Sequence, residues 1–163
     1  MDRGRNLRIN DAEIMYKNFS GKVSKYNPNG NRSVTIVVPT QEIAERLLDE
    51  GWNVKTKYVA SDPDADPKYI LELKIKYDPY PPEIYMVMMD SKKKVLLDEE
   101  TVGNLDRSEI INADIIVRPS HWSVNGRNGV AGYVKKMFVV VEEDDFDKKY
   151  DFDEPIEEDE TPF

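Results

Sequence analysis

The chain has 163 residues, 39% hydrophobic and 34% charged, with a formal net charge of -9 at pH 7 and no cysteine. Disulfide scaffolds, thiol nucleophiles and cysteine-ligated metal sites are thereby excluded. A mean hydropathy of -0.65, with no apolar run near the roughly 20 residues of a spanning helix, points away from a membrane partner.

Met1–Asn10 carries Arg3, Arg5 and Arg8 with no apolar stretch behind them, so it does not read as a signal peptide. Strand-like alternation opens at Ile14–Lys25 and meets the turn signal Asn27-Pro28-Asn29-Gly30-Asn31; Arg32–Val38 then sets Val34, Ile36 and Val38 on one face, which makes a hairpin. A helix is expected over Gln41–Glu50, with Thr40 as N-cap, Glu42 in the first turn and Gly51 at C′. Its Ile43, Ala44, Leu47 and Leu48 should face the core. Trp52–Tyr58 alternates as a strand, Ser61–Pro67 is a loop, and Tyr69–Tyr77 sets Tyr69, Leu71, Leu73, Ile75 and Tyr77 against Glu72, Lys74 and Lys76. Pro79, Pro81 and Pro82 enforce an extended connection to a strand over Ile84–Met89, closed by the charged turn Ser91–Lys94. Asp98–Asn104 suits a short helical turn. Ile110–Arg118 and Val130–Val141 complete the strands, with Asn125-Gly126 and Asn128-Gly129 marking a tight turn before the last one. Seven or eight short strands with one or two helices make a mainly β chain. A small closed or partly open barrel is the leading architecture because closure removes sheet edges, with a sandwich as the alternative.

The charge is unevenly distributed. Residues 142–163 hold twelve acidic residues and two lysines, which leaves 21 basic and 20 acidic residues in positions 1–141. A nearly neutral domain over 1–141 is therefore followed by an acidic tail, 142–163, too poor in apolar groups to offset its ordering entropy. Some of Phe146–Phe152 could still pack on the domain.

Catalytic patterns fail on inspection. His121 is the one histidine, and its neighbour Ser120 would point to the opposite face of a strand, so the two cannot form a nucleophile–base pair. Asp62, Asp64 and Asp66 start like a calcium loop, but its sixth and twelfth positions hold Pro67 and Leu73. Gly126, Gly129 and Gly132 lack the Lys-Ser/Thr of a phosphate loop and read as hairpin glycines. No spacing singles out carboxylates for Mg²⁺-dependent nuclease chemistry. No enzyme, cofactor or metal is expected.

Basic and aromatic residues interleave instead. The sets are Lys22-x-x-Lys25-Tyr26 with Arg32; Trp52, Lys55, Lys57 and Tyr58; Lys74, Lys76 and Tyr77; Arg118, Trp122 and Arg127; and Tyr133, Lys135 and Lys136. Cations that track phosphates and rings that stack bases are what single-stranded nucleic acid binding requires. Beside this stand plainer readings: Tyr69, Tyr77 and Phe138 as core, Lys92-Lys93-Lys94 as a solvated turn, and Trp52 as a core plug. A polyanionic tail at high effective concentration could occupy a cationic groove until nucleic acid displaces it. Its end, Glu157-Glu158-Asp159-Glu160-Thr161-Pro162-Phe163, puts a ring and the α-carboxylate at the tip of an acidic string, suited to an apolar pocket rimmed by cations on another protein.

That tip resembles the C-terminus of bacterial single-stranded DNA-binding proteins, which recruits replication and repair partners. The body is similar instead to single-stranded DNA-binding proteins of tailed bacteriophages, an OB-fold group with an acidic tail. The carrying stretches are Asn18-Phe19-Ser20-Gly21-Lys22 through Tyr26-Asn27, Gly51-Trp52-Asn53-Val54-Lys55 and Gly129-Val130-Ala131-Gly132-Tyr133-Val134-Lys135. The tip departs from the bacterial pattern in having Glu and Thr where that pattern has more Asp and an aliphatic residue before Pro. The resemblance implies an OB-fold protein that coats single-stranded DNA in phage replication, recombination or repair, in the host cytoplasm. The expected binding surface is Lys22, Lys25, Tyr26, Arg32, Trp52, Lys55, Lys57, Lys74, Lys76, Trp122, Arg127 and Lys135. The expected partner-binding tail is Glu157, Glu158, Asp159, Glu160, Pro162 and Phe163. Monomer or dimer stays open. The alternative is an acidic interaction protein, such as a DNA mimic inhibiting a host enzyme.

Overall fold

A computed structural model describes residues 5–58, 61–62 and 64–142. In chain order the elements are β1 (Leu7–Asn18), β2 (Arg32–Val37), α1 (Gln41–Asp49), β3 (Val54–Lys57), β4 (Lys68–Ile75), β5 (Glu83–Met88), β6 (Lys94–Leu97), a 3-10 helix (Val102–Arg107), β7 (Ile110–Val124) and β8 (Arg127–Val141). β1 pairs with β2, β2 with β4, β4 with β8, β8 with β7 and β7 with β1, so five strands close on themselves. All of these pairs are antiparallel except β4–β8. This closed five-stranded barrel is OB-like. β3 extends it along β4, and β5 with β6 extends it from the second half of β8.

Alternation decides what fills the barrel. Val34 and Ile36, Leu71, Leu73 and Ile75, Ala113, Ile115 and Val117, and Val134, Met137 and Val139 all face inward and are buried. Thr40 caps α1 by accepting the Ile43 N–H at 3.1 Å, and the helix contributes Ala44 and Leu47 to the core. Gly51 follows with φ +98, as a residue just past a helix end requires.

The differences from the sequence reading have local causes. β1 begins at Leu7 rather than Ile14 because its register shifts between Ile9 and Ala12, which lets both face the core. Asp11 takes φ +53 there, and its N–H donates to Asp114 Oδ1 at 2.8 Å. Such a bulge breaks the two-residue period that sequence patterning relies on. β1 also stops at Asn18, and Phe19 turns fully into the core. The carboxylate of Asp106 accepts the N–H groups of Phe19 and Ser20 at 2.8 and 2.9 Å. Lys94–Leu97 forms a strand that the sequence reading did not place, directly after the charged turn expected over Ser91–Lys94, and the second helical turn is Val102–Arg107 rather than Asp98–Asn104. The β7–β8 turn is Asn125-Gly126, both at positive φ as a two-residue hairpin loop prefers. Asn128 and Gly129 lie within β8.

No helix among the described residues is long and apolar enough to cross a membrane. Of the acidic tail expected over 142–163, everything after Glu142 lies outside the described residues.

Candidate nucleic-acid interface

In an OB-fold the second and third barrel strands, with the loops flanking them, offer the surface on which oligonucleotides lie. Here those strands are β2 and β4, and the flanking loops are residues 19–31 and the β7–β8 tip. Register shows what faces outward. Asn18 is paired with Ser33, Ser33 with Lys74, Lys74 with Tyr133 and Tyr133 with Arg118. One row of side chains thus crosses all five barrel strands on the solvent side. Lys74 Nζ stands 6.0 Å from the Tyr133 ring centroid and the Arg118 guanidinium 5.1 Å from it; Arg118 also lies 5.6 Å from Tyr80. In the adjoining row Tyr16 pairs with Thr35, and the Lys57 ammonium is 5.2 Å from the Tyr16 ring. Each cation is held near an aromatic face without losing its charge.

The same pattern continues along β8. Phe138 pairs with Tyr85, and their rings stack 4.9 Å apart at 9°. Lys94 sits 5.2 Å from Tyr85 and 5.5 Å from Phe138, while Lys136 is 5.6 Å from Phe138. Phe138 is therefore not a core residue, contrary to its reading in the sequence. Met137–Val141 is apolar on both faces, so composition could not say which residues turn inward. The Tyr85 hydroxyl donates to Glu83 Oε1 at 3.1 Å, which raises the phenol pKa and keeps it protonated.

The β7–β8 arm adds a second kind of surface. Trp122 is 42% exposed, and its ring lies over Gly129, where an added Cβ would be 2.7 Å from Cζ2. One ring face is thus seated on backbone while the other can be reached by solvent. Beside it is a cleft of about 840 Å³, lined by Arg5, Arg8, Arg46, His121, Trp52 and Trp122 among others. At the other flank, the 19–31 loop carries Lys22, Lys25 and Tyr26. Tyr26 is 87% exposed, with Lys25 Nζ 5.1 Å from its ring. Gly21, at φ +71, lets this loop fold back, since a Cβ there would be 2.7 Å from Gly30 O. Asn27 ties the loop together by donating to Lys22 O and Asn31 O at 3.0 and 2.9 Å.

The other expected residues are distributed unequally. Lys55, Lys76, Arg127 and Lys135 are exposed. Lys55 and Lys57 project from the same side of β3, whereas Lys135 is the extra residue at a register shift between β7 and β8. Arg32 is committed within the fold: it donates to Phe19 O at 3.0 Å, pairs with Glu99 at 3.3 Å and lies 5.2 Å from the Tyr77 ring. Burial pushes the Tyr77 phenol up to about 12, against the opposing pull of Arg32. Trp52 is 6% exposed and belongs to the core, where Gly132 leaves room for its ring; it cannot offer a face to a base. Of the two readings given for Trp52, the core plug describes its position.

Tyr16, Tyr80 and Tyr85 were not singled out in the sequence, while Phe138 was read there as core and Lys94 as part of a solvated turn. Tyr16 and Tyr85 sit in strand patterns that show which residues share a face but not that the face is cationic. Tyr80 joins Arg118 across the fold from a Pro-rich connection. Among the described residues no group of three or more His, Cys, Asp or Glu could hold a metal ion.

A family model for a phage ssDNA-binding domain matches residues 1–161. Three solved structures of the single-stranded DNA-binding protein of bacteriophage Enc34 share the fold. Its C-terminal truncation matches with a TM-score of 0.53 at 10% identity, covering 85% of this chain and 87% of that one. Its complex with ssDNA matches with 0.55 at 9% identity, covering 88% and 93%. A third structure of it matches with 0.50 at 9% identity, covering 85% of each chain. No curated protein sequence matches.

Proposed function

Because the chain belongs to the phage ssDNA-binding domain family, we propose that it coats single-stranded DNA along the outer face of the barrel, without strong sequence preference. The observation that carries this reading is the row Asn18–Ser33–Lys74–Tyr133–Arg118, in register across five strands with its two cations beside a ring. Phosphates would meet Lys74, Arg118, Lys57, Lys76 and the loop lysines Lys22 and Lys25. Bases would stack on Tyr133, Tyr16, Trp122 and Tyr26, each ring worth about 1–3 kcal/mol. Such contacts read no base edges and are indifferent to sequence. The solved complex of the Enc34 protein with ssDNA has the same fold and supports the assignment.

The finer parts of the proposal follow from charge. Residues 1–141 are the binding domain, and 142–163 form an acidic tail that competes with DNA for the cationic face. The Glu157–Phe163 tip recruits replication or recombination proteins in the host cytoplasm. The role is binding rather than catalysis.

An oligo(dT) titration read by tryptophan fluorescence tests this. Quenching that saturates, persists in Trp52→Phe and disappears in Trp122→Phe is expected. No binding to oligo(dT), or cleavage of it, would overturn the proposal.

A further inference from the structure

The proposed path of the DNA leaves the free edge of β6 unused. β6 is the last strand in the sheet order, and among the described residues no strand pairs with its second edge. Met88 N–H donates to Lys93 O at 2.8 Å. Bonding direction alternates along an antiparallel ladder, so Val95 and Leu97 turn their backbone groups toward β5, while Lys94 and Leu96 turn theirs outward. The side chains at this edge are apolar and open: Val95 is 45% exposed and Leu96 58%. Leu96 pairs with Tyr85 on the outer face, next to the Tyr85–Phe138 stack. Sheets normally cover or blunt such an edge with proline, bulges or a further element.

The chain itself supplies a cover of matching character. From Asp145 to Asp153 the sequence alternates, with Phe146, Lys148, Tyr150 and Phe152 on one side and Asp145, Asp147, Lys149, Asp151 and Asp153 on the other. That is the pattern of a strand with one apolar face. β8 ends at Val141, opposite Met88 of β5, and β6 is the next strand over. Three strand spacings separate β8 from a strand laid on the free edge of β6, about 14 Å. About five extended residues cover that span, which Glu143–Asp147 provide. A chain leaving the end of β8 must double back to lie there, so it would run parallel to β6.

We propose that Lys148–Phe152 adds to the free edge of β6 as a further strand of the sheet, with Tyr150 and Phe152 packed against Leu96 and the Tyr85–Phe138 pair. Asp145 and Asp147 on the approach then pass the cationic start of β6, where Lys92 and Lys94 stand. This anchor separates two functions within the tail: an aromatic half that closes the sheet, and an acidic tip left to reach other surfaces.

Amide hydrogen exchange, followed by NMR on the full-length chain without DNA, tests the proposal independently of any nucleic-acid binding. The Lys94 and Leu96 amides should exchange at least tenfold more slowly in the unaltered chain than in the triple variant Phe146→Ser, Tyr150→Ser, Phe152→Ser. Leu96→Thr, which keeps a strand-forming residue, should lower the Lys94 protection in the same direction. Neutralising Glu157, Glu158, Asp159 and Glu160 to their amides should leave protection unchanged. Equal exchange in the unaltered and triple-variant chains would overturn the proposal. So would protection that grows with protein concentration, because a second copy would then be filling the edge.

Discussion

Tyr133 is where the cationic row converges, with Lys74 on one strand beside its ring, Arg118 on another and Tyr80 beyond Arg118. Tyr133→Ala removes one stacking platform and no charge. A stacked base is worth about 1–3 kcal/mol, but the Arg118 guanidinium and the Lys74 ammonium already lie 5.1 and 6.0 Å from this ring, so a base must share it with them. The lower half of the range follows, about 1–2 kcal/mol, or a roughly five- to thirtyfold loss of affinity for oligo(dT). The slope of log affinity against log salt should stay unchanged, whereas Lys74→Ala should reduce it by about 0.7, because one phosphate fewer is neutralised. Fluorescence anisotropy of a labelled oligo(dT) at several salt concentrations separates the two effects. Tyr133 faces outward, so the melting temperature of Tyr133→Ala should stay near that of the unaltered chain. A loss below twofold, or a slope change matching that of Lys74→Ala, would refute the reasoning.

Other variants probe the scaffold. Trp52→Ala empties a buried site and should cost about 3–5 kcal/mol, seen as a lower denaturant midpoint with an unchanged m-value. Gly129→Ala places a Cβ 2.7 Å from the Trp122 ring and 3.1 Å from Gly51 O; it should displace the indole and weaken fluorescence quenching by oligo(dT) while the barrel still folds. The Asp98 carboxylate accepts the Thr101 hydroxyl at 2.9 Å and the N–H groups of Thr101 and Glu100 at 2.9 and 3.0 Å, so its pKa is lowered. A depressed folded-state pKa stabilises the protein above the unfolded value, and that contribution is lost as pH falls through the folded one. Asp98→Asn should therefore flatten the acid limb of a plot of melting temperature against pH and leave the alkaline limb unchanged.

Much of the barrel was legible in the sequence because its inward positions obey a strict alternation. Tyr69–Tyr77 is the clearest case, with Leu71, Leu73 and Ile75 buried as the pattern requires. α1 was legible from its caps, and Thr40 does accept the Ile43 N–H. Legibility ended where the period broke. The bulge at Asp11 hid the first half of β1, and the apolar run Met137–Val141 concealed that Phe138 faces out. β6 is short and has two apolar exposed residues, and it becomes a strand only because β5 lies beside it. For the interface, alternation placed Lys74 and Lys76 on one side of a strand. It could not show that Arg118, Tyr133 and Tyr80 come together, because those contacts join distant parts of the chain. Trp52 illustrates the opposite limit: its basic neighbours suggested a stacking ring, while the space left by Gly132 draws it into the core.

The most direct measurement is a map of contacts on the protein by photo-cross-linking with an oligo(dT) that carries 5-iodouracil at successive positions, followed by mass spectrometry. A strand held on the outer face should cross-link to Tyr133, Tyr16, Trp122 and Tyr26, with yields that fall together as salt rises. Cross-links confined to α1 or to β6, or spread evenly over the surface, would contradict it.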